Sequence, residues 1–287
     1  MKYLKKAFWF VVSVLPAGLC VAMQYACAYA VLYFYYFQIK AQRPDKSHGF
    51  IYMLASIEYS TKAIYGVLLY HIIAVFAFGA WYYFVWGKKK RPEGVEKIRL
   101  VKWPVIILLG VLLQVLVSAV LNIIYVVAPQ LLESYMQMMQ AAGLGEMNWQ
   151  ILLATVVLAP IGEELLCRGI MLKLAGKVTD KFWIANMIQA LAFGVIHMNW
   201  VQGIYAFVLG IILGYIYGKY QNIFVCIVLH AVINFSSNYV EKFFFLLPDA
   251  NPVLILSIVA VVSGAFVLGC FLLLGKIRKP QVEIVEE

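Results

Sequence analysis

Residues 149–172 read WQILLATVVLAPIGEELLCRGIML. A membrane-spanning helix needs about 20 predominantly apolar residues, and this run supplies them, with Glu163, Glu164 and Arg168 set in its second half. Ionised side chains at that depth cost several kcal/mol each and are retained for a reason. Working outward, seven further apolar runs have similar character. They cover approximately Ala7–Phe34, Ala63–Trp86, Pro104–Ala128, Phe182–His197, Val201–Tyr217, Ile223–Phe245 and Pro252–Gly275. The Phe182 and Val201 runs are the shortest and are candidates for tilted or partly re-entrant segments. The fold expected is therefore all-α, a polytopic membrane helix bundle of about eight transmembrane helices. Composition agrees: 64% of the 287 residues are hydrophobic and 13% charged, with a mean hydropathy of +0.86. A soluble domain lies nearer half apolar and a quarter charged.

The net charge of +9 would suit nucleic acid if it formed a patch. The basic residues instead sit mainly between apolar runs, where they set topology, so the expected partners are the lipid bilayer and a peptide or membrane-protein substrate, with no nucleic acid. If the N-terminus is cytoplasmic, the inner segments carry Lys2, Lys5, Lys6, Lys88, Lys89, Lys90, Arg91, Lys97, Arg99, Lys102, Lys173, Lys177, Lys181, Lys219, Lys276, Arg278 and Lys279. The outer ones carry Lys40, Arg43, Lys46, Lys62 and Lys242. Seventeen against five predicts both termini on the cytoplasmic side of the cell membrane. The basic start and long apolar first run resemble a signal peptide, but the run is too long for one and reads as a retained span. Cys20, Cys27, Cys167, Cys226 and Cys270 all lie within apolar runs with no paired or metal-type spacing, so neither a disulfide framework nor a cysteine zinc site is expected.

Along the chain, residues 1–145 read as about three spans and an amphipathic, Met-rich connector, 146–245 as the core that carries chemistry, and 246–287 as a last span and tail, all within one integrated membrane domain. The first part holds few ionisable groups: His71 in the second run, with Glu58 and Lys62 just before it. The core concentrates them. Glu163 and Glu164 project about 100° apart on a helix. Glu164 and Arg168 have the i, i+4 order that favours an ion pair, which would hold Glu164 ionised and leave Glu163 for another partner. His197 follows Phe193 by four residues, and Asn234 follows His230 by four. Each pattern alone has a plain architectural explanation, such as a Glu–Arg pair, an interfacial histidine or an interhelical hydrogen bond. At about 1.5 Å per residue, Glu163 lies roughly 14–18 Å, His197 roughly 24 Å and His230 roughly 11–14 Å from the cytoplasmic ends of their helices. Helix tilt closes much of that difference. Two acids, two imidazoles and an amide at one level make an inventory for peptide hydrolysis: a general base for water, a proton donor, and a neutral donor to an oxyanion.

The ordered set Glu163-Glu164-Leu165-Leu166-Cys167-Arg168, Phe193-Gly194-Val195-Ile196-His197 and His230-Ala231-Val232-Ile233-Asn234 resembles the CAAX protease and bacteriocin-processing (CPBP, Abi) family, which includes the Ras-converting prenyl-protein proteases. The resemblance covers about 75 residues and implies an intramembrane endopeptidase with an eight-helix bundle and a cavity open to the cytoplasmic side. It implies Glu163 as base with His197 assisting, His230 and Asn234 on the oxyanion side, and Glu164, Arg168 and Phe193 as support. No cofactor is favoured. The alternative is Zn2+ held by Glu163, His197 and His230, against which stands the lack of an HExxH helix. Other readings are a non-catalytic immunity or maturation factor of the same fold, a proton-relaying transporter, and a cysteine protease using Cys167, whose apolar surroundings argue for inertness.

Overall fold

The computed structural model describes residues 2–42, 62–87, 96–141, 148–244, 246 and 251–275. Glu58, Phe245 and the charged tail lie outside the described residues, as does much of the Lys88–Lys102 loop. Among the described residues every regular element is helical. We number the helices α1 (Lys2–Gln42), α2 (Ala63–Gly87), α3 (Leu100–Val127), α4 (Glu133–Ala141), α5 (Trp149–Ala175), α6 (Phe182–Val195), α7 (Trp200–Tyr220), α8 (Ile223–Phe244) and α9 (Pro252–Leu274). Seven of these are long and apolar enough to cross a membrane. The chain is an integral membrane protein.

Two expectations change at α6 and α7. The run expected to span from Phe182 to His197 is helical only to Val195, which is 14 residues, whereas its successor is a full 21-residue helix. The chain reverses between them. Met198 takes φ 55°, and Asn199 caps α7 by accepting from the Val201 and Gln202 amides. His197 therefore lies in the turn past the end of α6, not on its helical face.

With no hydrophobic force between helices in lipid, small residues must let backbones approach. The seam between α6 and α7 does this. Gly194 and Gly203 stand so close that a Cβ on Gly194 would lie 2.6 Å from the Gly203 carbonyl oxygen. Gly210, Gly214 and Gly218 continue the seam at four-residue intervals. A Cβ on Gly218 would meet the Phe182 ring at 2.5 Å, and one on Gly214 would overlap the Asn186 side-chain oxygen. The bared α7 backbone then accepts hydrogen bonds: Asn186 donates to Ile211 O at 3.0 Å and Gln189 to Gly210 O at 3.0 Å. Both side chains are fully buried.

The two ends of the bundle differ. At one end Glu96 accepts from Lys102 at 2.7 Å and Lys219 at 2.9 Å, and Lys102 also donates to Leu274 O. This gathers the start of α3 with the ends of α7 and α9. Burial pushes the Glu96 carboxyl up, but the two ammonium groups outweigh it and hold the carboxyl below its ordinary range. Lys177 sits 4.0 Å over the Trp9 ring, which places the first turns of α1 and the end of α5 at this same basic end. At the opposite end Asn122 of α3 donates to Glu241 of α8, and Tyr135 of α4 meets Tyr205 of α7. The hydrophobic clusters draw on helices from all three stretches of the sequence.

The glycine seam is directly testable. Gly214→Ala drives a methyl into Asn186 and is expected to destabilise by about 1–3 kcal/mol, the usual cost of overpacking. Gly264, whose Cβ would meet nothing within 4 Å, supplies the control. Thermal melts of the detergent-solubilised variants should show a lowered transition for Gly214→Ala and none for Gly264→Ala.

Candidate active site

α5 is a distorted helix. Its α-helical stretch Ala159–Glu164 is flanked by wider turns over Leu153–Leu158 and Leu165–Met171. In those turns Ala159 N–H bonds to Ala154 O, and Leu172 N–H bonds to Cys167 O. Such i→i−5 turns occur often at functional sites. Glu163 and Glu164 end the α-helical stretch between them.

The two acids have opposite surroundings. The Glu164 side chain is completely sealed, with Oε1 accepting from Arg168 Nη1 at 2.8 Å and His230 Nδ1 at 2.9 Å. Arg168 is equally sealed; it donates to Gly210 O at 3.0 Å and lies 4.9 Å over the Phe193 ring. Glu163 keeps 14% of its side chain exposed and points its Oε2 toward His230 Nε2, 3.7 Å away. A carboxylate only accepts, so the bond to Glu164 requires His230 to carry its proton on Nδ1, which leaves Nε2 facing Glu163.

His197 reaches the site by a different route. As α6 ends, the Phe193 carbonyl is among the orphan acceptors of the last turn. The His197 ring satisfies it through Nδ1 at 2.7 Å. Here too the carbonyl fixes the proton on Nδ1 and leaves Nε2 as the acceptor nitrogen. Phe193 touches both imidazoles edge-on, at 4.9 Å to His197 and 5.8 Å to His230. It thus organises three of the polar groups without itself being polar.

Asn234 is placed by a defect in α5. Pro160 has no N–H to donate, and in the i→i−5 register its partner would have been Thr155 O. Asn234 Nδ2 donates to that carbonyl at 2.8 Å. One of its two amide hydrogens is therefore committed to holding α8 against α5.

Glu163, His197, His230 and Asn234 line one cavity of about 1030 Å³, together with His71, Gln114 and Gln202. His71 was visible in the sequence as an ionisable group within a span, but its distance along the chain gave no reason to join it to the core. Cys167 is fully buried outside the cavity lining, away from any nucleophilic role. Among the described residues, no three of the His, Cys, Asp and Glu side chains stand together as a metal-ligand set.

The cavity occupies one half of the bundle. Its lining runs from Ile151 to Glu163 on α5, from Gln202 to Leu213 on α7 and from Lys242 back to His230 on α8, and Met138 and Met139 of α4 close over it. Towards the basic end the same helices are solid: Leu166, Ile170, Ile216, Tyr220, Val225 and Leu229 are each 0% exposed. The cavity thus extends away from the basic end where α1 begins and α9 ends. Cytoplasmic termini and a cavity open to the cytoplasm are therefore mutually exclusive for this bundle.

Among curated proteins and solved structures, none matches the chain. Residues 145–236 match the family model described as Rce1-like, type II CAAX prenyl endopeptidase Rce1-like. That stretch contains all three motifs and runs from the approach to α5 into the middle of α8, so over these residues the chain is similar to the Rce1-like CAAX protease family.

Proposed function

We propose that the protein is an intramembrane endopeptidase that hydrolyses a peptide bond of a membrane-associated polypeptide, with Glu163 as the general base for water. The observation that carries this reading is the asymmetry of the glutamate pair. Glu164 is neutralised and sealed by Arg168, whereas Glu163 meets the cavity with an imidazole beside it. A water against Glu163 Oε2 and His230 Nε2 gives a proton to Glu163 as its oxygen attacks the scissile carbonyl carbon. The carbonyl π electrons move onto oxygen, which takes a hydrogen bond from the second N–H of the Asn234 amide. When the C–N bond breaks, the leaving amine takes a proton from Glu163, directly or through His197 Nε2. Preorganised donors of this kind act strongly in a site shielded from bulk water.

The acid pair is separable by mutation. Glu163→Gln is nearly isosteric and should abolish cleavage while leaving the melting temperature near that of the wild type. Arg168→Ala strands a buried carboxylate, a change that typically costs about 3–5 kcal/mol, and should appear first as lost folded protein. Equal loss of activity and stability in both would reverse the assignment of roles.

Metal independence is proposed on the donor geometry. Dialysis against a strong chelator should leave turnover intact and the purified protein low in zinc. Stoichiometric zinc lost in step with activity would place His197 and His230 among its ligands instead.

Asn234 has two tasks, and two measurements separate them. Asn234→Ala should lower the melting temperature, because Thr155 O loses its donor. It should also reduce kcat per folded molecule by about 10²–10³, the usual worth of one oxyanion donor, with little change in KM. A variant that melts earlier but turns over normally would leave Asn234 as a helix pin only.

A further inference from the structure

The open half of the bundle and the charge of its ends together bear on the substrate. The described basic residues of the loops and helix ends at one end include Lys97, Arg99, Lys102, Lys181 and Lys219, and Glu96 ties two of these together. Short loops rich in Lys and Arg stay on the cytoplasmic side. The solid half of the bundle lies on that side. Among the described residues this half is closely packed, with zero exposure at Leu166 and Ile170 of α5 beyond Glu163 and at Leu229 of α8 before His230.

We infer that the cavity is entered from the extracytoplasmic face, and that the substrate is an exported or membrane-tethered polypeptide cut within or beside an apolar segment on that side, not a chain end presented in the cytoplasm. This inference rests on the protease reading of the site. The mouth carries the chemistry for such a chain. Glu241 and Lys242 supply polar groups at its rim, while Met138 and Met139 of α4 line its cover. Unbranched thioether side chains adapt to varied apolar partners, which suits a hydrophobic stretch of polypeptide. A lipid-modified cytoplasmic terminus would have to cross the packed half to reach Glu163.

Membrane-impermeant maleimide labelling reads the orientation. Met139→Cys and Lys242→Cys, at the cavity mouth, are compared with Arg99→Cys at the basic end, above the background of the five native cysteines, all buried. In intact cells the two mouth variants should label and Arg99→Cys should not; in inverted vesicles the pattern should invert. The reverse result overturns the inference, and so does a mouth that labels from neither face. Cleavage is read separately by comparing new protein termini in membranes that contain the wild type or Glu163→Gln. Termini that depend on Glu163 should map to extracytoplasmic segments of exported or membrane proteins. Glu163-dependent termini on cytoplasmic segments overturn the inference while keeping the protease reading. No Glu163-dependent termini at all overturns both.

Discussion

A guanidinium buried among membrane helices is tolerated only when its charge is met by a partner. Arg168, with no exposed surface, is the residue on which this structure turns. Its Nη1 takes Glu164, its Nη2 takes the Gly210 carbonyl, and the plane of the group lies over Phe193. Each contact belongs to a different helix, so satisfying one charge fixes α5, α6 and α7 together. The Gly210 carbonyl also accepts from Gln189, which carries the same constraint into the glycine seam. Glu164, paired with Arg168, accepts from His230 Nδ1 and so sets the proton position on that ring. The orientation of His230 Nε2 toward Glu163 is thus a consequence of burying Arg168.

The same economy separates the bundle into two halves. Towards the basic end, close backbone approach at Gly214 and Gly218 and large apolar side chains leave a solid core. Towards the other end, the helices carry Gln114, Ser118, Gln202, Asn234 and Ser237, short or polar groups that cannot close the space between them. α4, joined to α7 through Tyr135 and Tyr205 at 3.4 Å, covers this half without filling it. The hydrolysis proposed for this site needs water beside Glu163 and lipid kept away from it, and a hollow half under a cover suits that need.

The span pattern, the i, i+4 pairing of Glu164 with Arg168 and the clustering of ionisable groups in the second half were all legible in the sequence, because each rests on local periodicity. The end of α6 was not. Val195, Ile196 and Met198 continue an apolar run, and only the cap formed by Asn199 and the left-handed backbone at Met198 stop the helix before His197. The glycines of α7 were a readable signal at four-residue spacing, yet their partner helix is a tertiary fact. His71 shows the same limit: a span position identifies it as unusual, and only packing brings it to the cavity of Glu163. Topology carried its own difficulty. Charge bias gives an expectation for the termini from sequence alone, but which half of the bundle is hollow depends on side chains meeting across helices.

The proline in α5 ties these levels together. Pro160 and the wide turns on either side interrupt a helix that already has to carry two adjacent acids. An interruption of this kind in lipid must be made good by a neighbouring helix, and Asn234 does so through Thr155 O. Because Asn234 stands one helical turn beyond His230, repairing the backbone of α5 also sets the height of α8. At that height His230 Nδ1 meets Glu164 and its Nε2 faces Glu163. Had Pro160 been a residue with an N–H, Thr155 O would have had a donor within its own helix, and α8 would have lost the polar contact that sets its register. The backbone defect therefore locates the site, and its cost is met by the same amide that is proposed to meet the developing negative charge.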